Sequence, residues 1–221
     1  INKRNYYNLL NIYNLKNNNE MLIKDLNNII KNDNISEIYN YSIYNFYNEN
    51  GEKYIGETKN GLKDGKGILY YNKDDQKKRK KYEGEFKNDK KDGKGIMYYN
   101  DGNRYEGEYK NGKREGKGII YCYNGNKYEG EFKNDKIEGK GKMYGYNGDR
   151  YEGEFKNNKR EGKGIMYWNI GNRYEGDWKN DKYEGKGIYY WNNGDRYEGE
   201  YKNGKREGKG IMYYNNGDKY E

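Results

Sequence analysis

From residue 54 to the end of the chain, apolar and polar positions alternate in short runs separated by Asn and Gly. Tyr82, Gly84 and Phe86 alternate with Glu83, Glu85 and Lys87; a few residues on, Gly93, Gly95, Met97 and Tyr99 alternate with Lys94, Ile96 and Tyr98. A period of two is that of a strand, so two adjacent runs predict a β-hairpin. One of its faces is made of aromatics and glycines, the other of Glu and Lys mixed with Ile and Tyr. The link between the runs begins with Asn each time (Asn60, Asn88, Asn111, Asn134, Asn157, Asn180, Asn203) and continues with Gly, Asp or Asn. These residues tolerate positive φ, and two in succession specify the type I′ hairpin turn. A second turn at Gly102, Gly125, Gly148, Gly171, Gly194 and Gly217 closes each unit and hands the chain to the next hairpin.

The unit recurs. The run from Tyr105 to Ile119 returns 23 residues later from Tyr128, then from Tyr151, Tyr174 and Tyr197, and it occurs earlier from Tyr82 and Tyr54. That makes seven full copies, with an eighth begun at Tyr220. Between Tyr54 and Tyr82 the step is 28 residues, so the first copy carries a five-residue insertion within residues 74–81. With a two-residue turn at Asn111-Gly112, Tyr105 falls opposite Gly118 and Glu106 opposite Lys117. A bare glycine there leaves room for the ring to lie across the strand. The same register sets Glu108 against Glu115, a repulsion that a bulge would relieve. One hairpin alone is marginal in water, whereas hairpins in a row cover one another's aromatic faces. The expected architecture is mainly β, an elongated twisted antiparallel single-layer β-solenoid over residues 51–221.

Residues 1–50 lack the repeat and carry five basic and five acidic residues. Tyr6, Leu9, Leu10 and Tyr13 fall at helical spacing, as do Leu22, Leu26, Ile29 and Ile30 behind the cap pair Asn17 and Glu20. A third helix is expected over residues 35–47, with Asn34 and Glu37 as its cap pair. Two roles stand side by side for this short helical segment: capping the open edge of the sheet, and binding a partner or a second copy.

Composition alone points toward disorder, since 31% apolar and 36% charged residues bury little surface. The 17% aromatic content and 32 glycines turn the reading back toward short strands and turns. With no His and a single cysteine, Cys122, the chain has neither a Ser-His-Asp nor a Cys-His nucleophile, no CxxC pair and no internal disulfide. This suits a reducing, cytoplasmic setting. No run approaches a membrane span, and no targeting segment is visible. With a start at Ile1 and an end inside the motif at Tyr220-Glu221, the chain is expected to be a fragment.

Charge is sorted along the repeat. From the Lys before each turn Asn to the Lys between the paired glycines, the seven copies sum to +15, against +8 for the whole chain and hence −7 for the remainder. The densest stations are Lys110, Lys113 and Arg114, then Lys156, Lys159 and Arg160, then Lys202, Lys205 and Arg206. Such an edge suits acidic phospholipid headgroups. A merely solvated edge is the alternative of equal standing. Lys77-Lys78-Arg79-Lys80-Lys81 in the insertion is expected to be a mobile solvated loop, with a nuclear address, a phosphoinositide finger or a phosphate contact as the alternatives. Nucleic acid is disfavoured because its aromatic platform must stay exposed. Recurrent carboxylates such as Glu83 and Glu85 form a cross-strand charge lattice, since a catalytic pair is single and differentiated. Residues 89–93 lack the ligand pattern of a calcium loop, and no Gly-rich loop precedes a helix, so no cofactor or metal is expected. Cys122 takes a position held elsewhere by Tyr or Trp and is expected to pack in the core.

The motif Tyr-x-Gly-x-aromatic followed by Gly-x-Gly at 23-residue spacing, from Tyr54 to Glu221, resembles the MORN repeat, the membrane occupation and recognition nexus. Thr58 departs from its aromatic, and Asp or Glu stands where the family often has His before the paired glycines. The resemblance implies a non-enzymatic scaffold holding protein assemblies together or against a membrane. It further implies a groove on the aromatic-glycine face for an extended or helical peptide, with Phe132, Phe155, Trp168, Trp178 and Trp191 as candidate anchors. The alternative at those five residues is that stacking within the rod uses the rings up. It implies basic edges that meet acidic phospholipids. Two rival roles follow as well: an accessory region beside a catalytic domain of lipid kinase or methyltransferase type, and a homodimeric cytoskeletal scaffold without lipid contact.

Overall fold

The computed structural model describes residues 42–47 and 51–221. Strands β1 (Ser42–Tyr47), β2 (Lys53–Lys59), β3 (Leu62–Tyr70), β4 (Arg79–Lys87), β5 (Lys90–Tyr99), β6 (Arg104–Lys110), β7 (Lys113–Tyr121) and β8 (Lys127–Lys133) make the first half of one sheet. It continues with β9 (Lys136–Tyr144), β10 (Arg150–Lys156), β11 (Lys159–Tyr167), β12 (Arg173–Lys179), β13 (Lys182–Tyr190), β14 (Arg196–Lys202), β15 (Lys205–Tyr213) and β16 (Lys219–Tyr220). All sixteen follow one another in chain order, and every measured pairing is antiparallel, so each hairpin lies beside its sequence neighbours. Of the helices expected in the N-terminal segment, the first two lie outside the described residues. The third is corrected over Ser42–Tyr47, which is strand β1. Its short aromatic and β-branched run fits both periodicities, and pairing with the next strand selects the extended one.

The turn chemistry is as the residues demand. Asn111 and Gly112 have φ of 50° and 84°, Asn134 and Asp135 of 50° and 68°, and the remaining Asn-led turns repeat the pattern. At the opposite edge, Cys122 accepts from the amide of Gly125 at 3.0 Å and donates its own to the carbonyl of Asn126 at 2.9 Å.

The register differs from the simple two-residue count. Lys110 faces Lys113 and Tyr109 faces Arg114, but beyond a bulge Gly107 faces Gly118, Glu106 faces Ile119 and Tyr105 faces Ile120. The bulge falls where Glu108 would oppose Glu115, and Gly116 on the longer arm turns to φ 66°. Tyr105 is therefore not directly across from Gly118. Its ring leans along its own strand over the Gly107–Gly118 pair, and its hydroxyl donates to the carbonyl of Glu108 at 3.0 Å. A Cβ on Gly118 would lie 2.5 Å from that hydroxyl oxygen and 2.6 Å from a ring carbon, so bare glycine is what lets the ring lie flat.

The rings form the core. Tyr105 meets Tyr109 of its own strand at 5.3 Å and Phe132 of the next hairpin at 5.0 Å. Tyr128 likewise meets Phe132 at 5.4 Å and Phe155 at 5.3 Å, all four contacts edge to face. The zigzag runs from Tyr54 to Tyr201, with its members at most 8% exposed. Each edge-to-face pair contributes about 0.5–1.5 kcal/mol beyond the area it buries. This ladder replaces the second layer that a sheet face ordinarily requires.

The insertion is ordered, against the expected mobile loop. Arg79 opens β4, stacks 3.9 Å from the Tyr71 ring and bonds the Asp75 carboxylate, which is held down at about 2 chiefly by that bond. The backbone of the segment also ties to both neighbours, through the Tyr71 amide on the Lys80 carbonyl and the Asn100 amide on the Lys78 carbonyl.

Candidate functional site

Strand alternation that sends Tyr105, Gly107 and Tyr109 into the ladder sends Arg104, Glu106 and Glu108 to the opposite face. Of the five candidate anchors, Phe132, Phe155 and Trp178 are 3–4% exposed and spent on neighbouring rings. Trp168 and Trp191 are half-buried beside Tyr189, at 5.4 and 4.6 Å. The open groove lies on the other face. It has a volume of about 1770 Å³ and crosses the array from Glu83 to Ile211. Three or four positions of each copy from the second to the seventh line it, in the third as Glu106, Glu108, Lys117 and Ile119 and in the fourth with Lys142 at the isoleucine position, over a floor of glycine backbone at Gly107 and Gly118.

Two rows of charge are arranged along this face. The Glu108 carboxylate accepts from the Lys117 amide across the bulge at 3.4 Å, and Asp177 and Glu200 do the same for Lys186 and Lys209. The Glu106 row is flanked by bases on its own strands, as in Lys127–Glu129 at 2.9 Å and Arg150–Glu152 at 3.3 Å. Beyond it lies the row of tyrosines that the alternation placed on this face, now seen beside arginines. Arg104 covers Tyr121 at 4.1 Å, Arg150 covers Tyr167 at 4.4 Å and Arg173 covers Tyr190 at 4.1 Å. The signal was present in the alternation itself, because these tyrosines share a parity with Ile and Lys rather than with the ladder.

At the Asn-led turn edge, the expected lipid-binding residues divide by type. Lys110, Lys113, Lys156, Lys159, Lys202 and Lys205 are exposed. Lys110 reaches Asp92 at 3.2 Å, Lys202 reaches Glu207 at 3.4 Å, and Lys113 and Lys159 each touch a turn Asn of the next hairpin at 3.4 Å. Two of the three arginines turn inward. Arg114 pairs with Asp135 at 3.4 Å and lies 5.3 Å from the Phe132 ring; Arg160 pairs with Asp181 at 3.1 Å and lies 4.4 Å from Trp178. Arg206 stays exposed, 5.2 Å from the Tyr197 ring.

The acid before each paired glycine has a structural duty. Glu115, Glu138, Glu161 and Glu184 accept the backbone amide of the next turn Asn at 2.9–3.0 Å, and Asp92 does so at 3.0 Å. The carboxylate at this position, where the family often has histidine, thus ties each hairpin to the next turn. Cys122 is half-buried, and burial raises its thiol above the ordinary value. Among the described residues no cluster of metal-ligating side chains occurs and no helix is long and apolar enough to cross a membrane.

The chain is similar to the SAS-4 (dCPAP) TCP domain of Drosophila melanogaster in complex with a proline rich motif of Ana2 (dSTIL), with 14% identity and a TM-score of 0.42 over 80% of this chain and 88% of that one. It is also similar to the wild-type TCP10 domain of Danio rerio CPAP, with 12% identity and a TM-score of 0.44 over 78% of each chain. Curated proteins gave no match. The model of the MORN repeat matches residues 54–76, 82–104, 105–127, 128–150, 151–173, 174–196 and 197–219, the same seven units that the hairpins, turns and ring ladder define. The chain belongs to the MORN-repeat family.

Proposed function

We propose that this MORN-repeat array is a non-enzymatic scaffold that holds an extended segment of a partner protein in the groove on its Glu, Lys and Ile face. One observation carries the reading: the ladder face is closed by its own rings, whereas the opposite face offers one continuous groove across six hairpins, lined by recurring Glu, Lys and Ile positions. A repeated site of this kind gains affinity by adding equivalent contacts along a chain. Selection of a displayed random peptide library on the array tests it. Selected peptides are expected to bind the parent and to lose binding to an Ile119→Arg, Ile165→Arg, Ile188→Arg variant that keeps its far-ultraviolet spectrum. Peptides indifferent to those changes would remove the groove from the account.

The exposed lysines favour a second reading for the turn edge. Six lysine amino groups in three stations stand in solvent, and such a row suits acidic phospholipid headgroups. Lys113, Lys156, Lys159 and their fellows would then hold the scaffold at a cytoplasmic membrane surface, with the groove facing a protein.

A further inference from the structure

We propose, on the strength of the groove reading, that its occupant is a polyproline II segment carrying basic residues. The spacing of the array selects this conformation. Each copy occupies two strands, so equivalent groove positions recur every ~9.6 Å along the row. Polyproline II rises about 3.1 Å per residue with three residues per turn, so the same side chain returns every ~9.3 Å. Over four copies the accumulated mismatch is about 1 Å. A β-strand returns to one face every two residues, or ~6.7 Å, and falls out of step at once. An α-helix returns after seven residues, or ~10.5 Å, and is about 3.6 Å out after four copies. Only the three-residue helix keeps one side chain of every turn against the same position of each hairpin.

The chemistry of the positions fits that ligand. Ile119 and Tyr121 lie two residues apart on β7 with the same parity, both half-buried, and Ile165 with Tyr167 and Ile188 with Tyr190 repeat them on β11 and β13. Each isoleucine lines the groove and offers an apolar contact to a pyrrolidine ring, beside a tyrosine whose ring lies 4.1–4.4 Å from an arginine, while on β9 Lys142 takes the isoleucine's place. The groove itself is lined by ten carboxylates and seven lysines. Glu106 and Glu198 are exposed and take part in no ion pair among the described residues. A basic residue at one of the two remaining positions of each ligand turn therefore meets complementary charge.

Fluorescence anisotropy with labelled (Pro-Pro-Arg)n and (Gly-Ser-Arg)n peptides, n from 2 to 5, tests the proposal at physiological salt. The proline series is expected to bind at least tenfold more tightly at n of 4, to gain affinity with each added triplet, and to lose at least tenfold on Ile165→Glu with Ile188→Glu. Equal binding of the two series reduces the interaction to charge and overturns the proposal. So does an absence of binding by either, or a proline series indifferent to the isoleucine changes. If displayed-library peptides occupy the groove but none contains proline at a period of three, the groove reading survives and this one fails.

Discussion

The amide of Gly112 donates to the carbonyl of Lys91 at 2.7 Å, and at this junction alone a basic residue faces a next-hairpin turn that has no carboxylate to offer. At the equivalent junctions Lys63 pairs with Asp89, Arg114 with Asp135 and Arg160 with Asp181, while Ile137 meets Asn158 and Tyr183 meets Gly204. The Lys91 amino group lies 5.0 Å from the Tyr109 ring and 5.6 Å from the Tyr82 ring. Burial, with Arg79 adding repulsion, lowers it from 10.5 to about 8.

Stability is expected to rise with pH between about 8 and 9.5. In that window the unfolded lysine still holds its proton, while the folded one has lost it, so the unfolded state binds more protons and loses ground as pH increases. Above about 10 the sign reverses. Buried tyrosines such as Tyr71 and Tyr183, raised by burial to about 12, stay neutral in the fold while unfolded tyrosines ionise. Thermal midpoints at half-unit intervals from pH 7 to 11 should pass through a maximum near 9.5.

Gly112→Asp should supply the missing partner. Asp89, Asp135 and Asp181 occupy the same turn position at φ of 64–68°, and a Cβ on Gly112 meets nothing within 4 Å. The variant is expected to gain about 0.5–1 kcal/mol at pH 7 and to flatten the rise between pH 8 and 9.5. Loss of stability with an unchanged pH profile would show that Lys91 is not held as described.

Glycine substitutions separate two causes of cost. Gly118→Ala drives a methyl group into the Tyr105 ring and should cost about 3 kcal/mol by overpacking. Gly61→Ala, at φ 78° in open space, should cost about 1 kcal/mol through backbone strain alone. Equal costs in thermal unfolding would remove the close ring approach from its place in the core.

Reversal of Lys110, Lys113, Lys156, Lys159, Lys202 and Lys205 to Glu tests the turn edge without disturbing the arginine pairs. Flotation with vesicles of phosphatidylserine and phosphatidylcholine should fall more than tenfold, and binding by the parent should weaken between 50 and 300 mM salt. Binding that persists in the reversed variant would exclude lipid attachment through this edge.

Hairpins, turn type and the sorting of rings to one face were legible in the sequence because each follows from local chemistry at fixed spacing. The register was legible only up to Tyr109, since counting back from the turn cannot place the two extra residues that the bulge takes up around Gly116. The openness of each face was not legible either. Phe132 and Tyr121 are both aromatic, yet one is enclosed by Tyr105 and Tyr128 while the other lies under Arg104, and that difference depends on neighbouring copies. The strand at Ser42–Tyr47 escaped for a related reason, since a short apolar run takes its conformation from what it pairs with.

The single-file ladder also sets how the array responds to load. Tension applied along the row acts on one inter-strand junction at a time instead of shearing many together, so an end hairpin peels away while the rest hold. Each release frees 23 residues, a gain of about 70 Å in length once the ~9.6 Å of the folded copy is subtracted. Held between two attachments in a cell, such a strip would lengthen in even steps at low force and rewind as the rings re-engage.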